Sequence, residues 1–211
     1  MTESVKASSL VPVGVFTIAY LAIATVTAFA RGNQEFIFYI VVVVLLVGAV
    51  LIVHRRVQLS QGVLWALSVW GLAHMMGGLV RVPEGWPING DIRVLYSLWI
   101  IPNYLKYDHV VHAYGFGTTT WVCWQGLKSI LRTYTTDPQP TFGLMVLSAT
   151  AGLGFGALNE VVEFAAVLLV PETNVGGYIN TGWDLVANSV GAATAALLIL
   201  VFDRSKSVDS M

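Results

Sequence analysis

The sequence predicts an all-α fold, a polytopic transmembrane bundle of about six spans. Three observations predict it. Hydrophobic residues make up 56% of the 211-residue chain and charged residues 11%, against roughly 25% charged in an ordinary soluble domain. So few charges cannot clothe a water-facing surface, whereas lipid asks for none. Apolar stretches recur along the chain, each near the roughly 20 residues that cross a hydrocarbon core. The ionisable residues inside those stretches gather toward one end of the spans. The net charge of −1 excludes the basic footprint of a nucleic-acid binder. Cys123, the single cysteine, allows no internal disulfide and reads as a small packed residue.

The spans are expected at 10–30, 35–53, 61–80, 108–131, 142–170 and 181–202, between short polar tails at 1–9 and 203–211. The first ends in Ala28-Phe29-Ala30, a pattern like a signal-peptidase site. The apolar run before it is long for a signal peptide and Lys6 is a weak basic flank, so it reads as a retained span. Between the third and fourth spans lies the long connection 81–107. It opens with the turn-rich run Pro83-Glu84-Gly85-Trp86-Pro87. It continues through 94–101, apolar but too short to span, which suits an interfacial or re-entrant element. The 174–181 connection holds Gly176-Gly177, suited to positive φ and close backbone approach. It reads as a tight turn or as a lid beside the polar residues.

Positive charge sets the orientation. With the N-terminus inside, the cytoplasmic side holds Lys6, Arg55, Arg56, Lys128, Arg132, Arg204 and Lys206, and the outer side holds Arg31, Arg81, Arg93 and Lys106. The excess favours both termini in the cytoplasm, in a multi-pass protein of the inner or plasma membrane. His54, next to Arg55 and Arg56, reads as an interfacial side chain.

Each ionisable residue inside a span costs about 2.5–3.5 kcal/mol at the helix centre on insertion scales, so those present mark a site. They are His74 on the third span; Asp108, His109 and His112 on the fourth; Glu160 and Glu163 on the fifth; and Asp184 with Asn188 on the sixth. At about 1.5 Å rise per residue, His74, His112, Glu160, Glu163 and Asp184 lie roughly 5–15 Å below the outer ends of four different helices. Asp108 and His112, Glu160 and Glu163, and Asp184 and Asn188 are spaced three or four apart, so each pair shares a helix face. Gly152 with Gly156, and Ala187 with Gly191 and Ala195, are small-xxx-small patterns that let helices approach closely. Facing carboxylates and imidazoles at such spacing are what metal sites in helical bundles are built from, and nitrogen with oxygen donors suits Zn, Fe or Mn better than Ca.

The string Tyr107-Asp108-His109-Val110-Val111-His112 with Gly115 and Gly117, the run Asn159-Glu160-Val161-Val162-Glu163, and Asp184 with Asn188 and Gly191 resemble the polar signatures of the YjdF-like inner-membrane proteins. His74 with Gly77 and Gly78 matches the His-x-x-Gly-Gly element before them. More distantly, the order resembles the VanZ-like family. The resemblance covers roughly residues 65–200 and implies that Asp108, His112, Glu160, Glu163, Asp184 and Asn188 are the family's polar positions. His109 falls where that pattern varies.

These readings lead to a metal-dependent membrane hydrolase or transferase acting on a lipid or lipid-linked substrate at the outer side. Its metal ligands are expected among His74, Asp108, His112, Glu163, Asp184 and Asn188. Glu160 or Glu163 would be the general base, and His112 a ligand or acid. Arg81, Arg93 and Lys106 would attract an anionic headgroup. Two other classes use the same residues: a proton- or cation-coupled transporter or channel, and a non-catalytic membrane protein with a structural metal. The orientation is open to a direct check. In a Cys123→Ser background, Asp91→Cys should react with a membrane-impermeant maleimide on intact cells and Arg55→Cys should not. The reverse pattern would turn the bundle over.

Overall fold

The computed structural model describes residues 10–208. Six helices run α1 (Val11–Ala30), α2 (Gln34–Val57), α3 (Gln61–Leu79), α4 (Tyr107–Leu131), α5 (Phe142–Leu169) and α6 (Tyr178–Val208). All but α4 are long and apolar enough to cross a membrane by length and composition. The exception has a packing reason. α4 lies against α3, α5 and α6, so protein rather than lipid meets its polar faces. The outer helices show the opposite pattern, with large apolar side chains such as Leu45, Val161 and Leu197 exposed. α6 extends past the expected span and takes the first part of the C-terminal tail into helix. The tail at 1–9, including Lys6, lies outside the described residues.

Local signals explain the helix ends. Asn33, Ser60 and Thr141 each precede a helix and accept from the backbone N–H of Phe36, Val63 and Leu144 respectively. Gly32 takes φ +62 just past α1, where only a residue without Cβ turns left-handed at no cost. The Arg31 guanidinium in that turn donates to the Leu79 carbonyl, which ties the α1–α2 corner to the end of α3. α2 continues to Val57, beyond the expected end at 53, with the left-handed Gln58 donating its N–H to the His54 carbonyl at 2.8 Å. His54, Arg55 and Arg56 fall in that last turn, where cations complement the helix dipole. His54 is buried rather than reaching for the interface as the sequence suggested. Cys123 is half-buried and free, as its composition implied.

The long connection folds back over the end of the bundle that carries the polar residues. Arg81 bridges to Val94 and Ile88 to Leu98. Leu95–Ser97 forms a 3-10 turn, and β1 (Trp99–Ile101) pairs antiparallel with β2 (Leu105–Lys106). The short apolar run thereby finds backbone partners in the rest of the connection and at the end of α3, with Leu95 N–H donating to the Val80 carbonyl and Trp99 N–H to the Pro87 carbonyl. Arg93 braces this cap by donating to the carbonyls of Pro83 at 2.8 Å and Glu84 at 2.6 Å. Ser97 joins it to the α5–α6 connection by donating to the Asn174 side-chain oxygen at 3.3 Å.

Glycines set the spacing of the inner helices. A Cβ on Gly191 of α6 would stand 1.9 Å from the Ala113 carbonyl oxygen of α4, and one on Gly156 of α5 would stand 2.9 Å from Asn188 Nδ2 of α6. α4, α5 and α6 therefore meet almost backbone to backbone. Gly191→Ala has to push α6 off α4 and should lower stability by about 1–3 kcal/mol, the usual cost of overpacking. Gly14→Ala, where a Cβ meets nothing within 4 Å, should leave stability unchanged or slightly raised, since alanine favours a helix by up to about 1 kcal/mol. Thermal unfolding in detergent compares the two.

Candidate acid and imidazole site

Close packing brings three helices together around one ring, that of His112. From its own helix, Asp108 Oδ1 lies 3.6 Å from His112 Nε2. From α5, Glu163 Oε1 lies 3.6 Å from the same nitrogen and Glu160 Oε1 lies 3.8 Å from Nδ1. From α6, Asn188 Oδ1 lies 3.1 Å from Nδ1. Two triplets share this imidazole, Asp108 with His112 and Asp184, and His112 with Glu160 and Glu163. Within each, one ligand atom per residue lies within 4.8 Å of the others. His112, Asp184 and Asn188 are buried. Asn159 holds one Glu163 oxygen by donating from Nδ2 at 2.8 Å.

Lys106 is the cation of the site. Its Nζ lies 3.1 Å from Asp108 Oδ2 and also donates to the Asn180 side-chain oxygen. Asn180 in turn donates to Asp184 Oδ2. Several polar atoms remain without partners: both Glu160 carboxylate oxygens lack a hydrogen bond, as do Asp184 Oδ1 and Asn188 Nδ2. A buried carboxylate oxygen without a donor carries a full desolvation penalty of roughly 1–3 kcal/mol or more.

Beside the cluster lies a cavity of about 60 Å³, reached by Glu35, Tyr39, His74, Lys106, Asp108 and Glu163 among others. A polar cavity of that size admits water. His74 stands on its wall, apart from the two triplets. Its ring stacks on Trp70 at 5.5 Å between centroids and makes edge contacts with Tyr39 and Tyr96. Its Nδ1 pairs with the Tyr96 hydroxyl. Burial pushes the Tyr96 phenol well above its ordinary pKa, so the hydroxyl keeps its proton and can donate. The Gly77-Gly78 pair makes room for this arrangement. A Cβ on Gly77 would run into the Tyr96 ring, at 2.5 Å, and one on Gly78 into the Phe36 ring.

The structure thus draws Asp108, His112, Glu160, Glu163, Asp184 and Asn188 together and sets His74 one layer away, in an aromatic box. Sequence reasoning passed over Glu35. This residue is buried in the first turn of α2, its Oε2 accepts the Asn174 N–H at 2.9 Å, and it lines the cavity. Its signal was the Glu35–Tyr39 spacing of four, which puts both on one face, but a carboxylate in a first helical turn also reads as an ordinary dipole partner. Of the three outer cations expected to draw an anion, Lys106 lines the cavity, whereas Arg93 is occupied by cap carbonyls. In the α5–α6 connection Gly176 is the tight position, its added Cβ 2.3 Å from that of Asn180, and Gly177 has open space. Neither glycine uses positive φ, which is confined among the glycines to Gly32 and Gly90.

A helical bundle in which α4, α5 and α6 close on carboxylates and an imidazole defines an integral membrane protein with a polar site inside it. The chain belongs to DUF2238, a family of predicted membrane proteins whose model matches residues 13–205. No curated protein and no solved structure matches it.

The central ring should matter to stability as well as to chemistry. His112→Leu leaves Asp108, Glu160 and Glu163 facing one another without their shared partner. It should cost on the order of 3–5 kcal/mol, as when one partner of a buried pair is removed. Lys128→Met, which breaks the more exposed Lys128–Asp203 pair at 3.0 Å, should cost about 1 kcal/mol or less. Unfolding of both variants in one detergent gives the comparison.

Proposed function

We propose that the His112 cluster is a divalent metal centre, Zn, Fe or Mn, and that the protein is a membrane hydrolase or transferase working on a lipid or lipid-linked substrate. The observation that carries the proposal is the set of unpartnered carboxylate oxygens on Glu160 and Asp184 around one imidazole. Glu35, Asp108, Glu160, Glu163 and Asp184 surround a region whose fixed cation is Lys106. Like charges at this density cannot all stay ionised without further positive charge. The donor set of carboxylate oxygen and imidazole nitrogen fits such a cation. His112, Asp108 and Asp184 would hold it from one side and Glu160 and Glu163 from the other, with Asn188 orienting the His112 ring through Nδ1. That hydrogen bond is the kind of outer support that fixes a ligating imidazole. A bound divalent cation would supply Lewis acidity at a phosphoryl or carbonyl oxygen or an acidified water.

The chain's own groups then divide the remaining work. Glu163 borders both the cluster and the cavity, so the carboxylate oxygen it does not lend to the cation would take a proton from a water there. Asn159 keeps that carboxylate in position. Tyr96 fixes His74 at the cavity wall, and the cap over the bundle end limits access of bulk water. An open cavity beside the cluster favours an enzyme over a structural metal, which would be closed on all sides. A transporter needs a path that continues inward. Below Asn188 the α4–α6 seam closes on the contact of Gly191 with Ala113. The outer placement and the cytoplasmic termini remain part of this proposal, as does the likeness to the YjdF-like and VanZ-like signatures.

Metal removal is the decisive test. Wild type purified without chelator should carry Zn, Fe or Mn by elemental analysis, lose thermal stability on chelation and regain it on re-addition. Glu163→Gln keeps the shape but removes a charge. It should bind metal more weakly and lose most of the stabilisation by added cation, because metal binding to the folded state is folding free energy. A metal-free wild type indifferent to both chelator and added cations would replace the metal centre with a proton-holding carboxylate network.

A further inference from the structure

The donors around His112 do not close into one group. Among the described residues their ligand atoms come within 4.8 Å of one another in two sets of three, Asp108 with His112 and Asp184, and His112 with Glu160 and Glu163. An ion with bonds near 2.1 Å holds its donors within about 4–4.5 Å of one another. No set contains both Asp184 and Glu160, so an ion bonded to one of them together with the ring leaves the other out. These two are also the carboxylates that lack partners. Asp184 is 0% exposed, accepts at Oδ2 from the Asn180 amide and has nothing on Oδ1. The Glu160 side chain is 10% exposed and has nothing on either oxygen.

The ring cannot complete both sets. The Asn188 side-chain oxygen, 3.1 Å from Nδ1, is an acceptor, so Nδ1 carries the proton and Nε2 is left as the one ligand nitrogen. Asp108 Oδ1 lies 3.6 Å from that Nε2. Glu160 stands at the other edge of the ring, its Oε1 3.8 Å from Nδ1. Glu163 lies between the two positions, with Oε1 3.6 Å from Nε2 and a ligand oxygen in the Glu160 set. Charge points the same way. Lys106 is the fixed cation beside Glu35, Asp108, Glu160, Glu163 and Asp184. One divalent ion would leave two of these carboxylates uncompensated when all are ionised, and a pair of divalent ions would leave none.

We infer that the cluster binds two divalent cations, the first on His112 Nε2, Asp108 and Asp184 and the second on Glu160 and Glu163. The inference rests on the metal reading above and divides its donor set between two ions. The first position has a nitrogen donor and fits Zn or Fe. The second has carboxylate oxygens alone and fits a harder ion, Mn(II) or Mg(II). Ions whose donor sets meet at one side chain stand close together. At the roughly 3.5–4 Å of two-metal sites, such a pair clamps the attacking and leaving oxygens of a phosphoryl group. The substrate class is then a phosphate ester, not a carboxylic ester or amide.

The test uses the full chain in neutral detergent, stripped with chelator and then equilibrated with Mn(II), a probe that both donor sets accept. Equilibrium dialysis should count two Mn(II) per chain at saturation, and electron paramagnetic resonance should show them spin-coupled. Glu160→Gln keeps the shape, removes a charge and should bind one Mn(II). That ion should be uncoupled and should retain the nitrogen coupling of a bound imidazole in spin-echo spectra. Wild-type count and coupling decide the question even where the variant folds poorly. A single Mn(II) per wild-type chain would overturn the second ion and leave the metal centre standing, whereas none would remove both. Two ions without spin coupling, or two still bound in Glu160→Gln, would put the second ion elsewhere and overturn the inference. Loss of both from a folded Glu160→Gln would mark one shared site and overturn it as well. Inorganic phosphate bridging the pair should alter the coupling, and an unaltered spectrum would remove the phosphate-ester assignment.

Discussion

His112 must meet carboxylates from α5 and α6 as well as from its own helix, and side chains as short as aspartate and asparagine reach it only if the backbones nearly touch. Gly191 against Ala113 and Gly156 against Asn188 supply that approach. The small residues that a packing argument alone would explain are therefore also the condition for the polar cluster. Apolar surface offers little drive to join helices within lipid, where tails are as apolar as leucine. Close van der Waals packing and interhelical hydrogen bonds carry the association instead. Here both act at the same level of the bundle.

The rest of the fold shields and extends that centre. α1, α2 and α3 pack around Phe36, Tyr39, Met75 and Leu79 and present Glu35 and His74 to the cavity from the far side. A separate cluster around Trp124, Met145 and Ile199 closes the opposite end of α4, α5 and α6. The cap closes the near end, held by its two backbone bridges and by the Arg93 bonds to cap carbonyls. A second cavity of about 450 Å³ adjoins the first and shares Lys106 and Asn180 with it. α4 and α6 begin at this end, and Asp108 and Glu163 line the inner cavity.

Much of the site was legible because charge inside a span is expensive, which limits it to positions with a compensating partner. The pairs Asp108–His112 and Glu160–Glu163 and the pair Asp184–Asn188 were readable from spacings of three and four. Glu35 was not, because its location at a helix start has a sufficient local explanation. His74 was read as a ligand from its depth and from the Gly77-Gly78 pair that follows it. Depth carries no information about rotation, and Tyr96, from a segment more than twenty residues later, fixes which neighbour the ring faces. Gly176 and Gly177 were equivalent as residues, and only the position of the Asn180 side chain distinguishes them.

By itself the sequence determined the helical membrane class, the number and approximate limits of the helices, and the level at which polar groups enter. Composition and the 1.5 Å rise per residue fix these locally. Tertiary structure decided that α4, the helix too polar to pass as a span alone, is packed among α3, α5 and α6. It decided that His112 is shared by two acidic triplets, and that the apolar run at 94–101 becomes a folded cap. It also left the His109 Nε2 without a partner beside a second cavity. Each of these depends on which helix faces meet. That is settled by contacts between residues far apart in the chain, through packing at glycines whose neighbours the sequence does not specify.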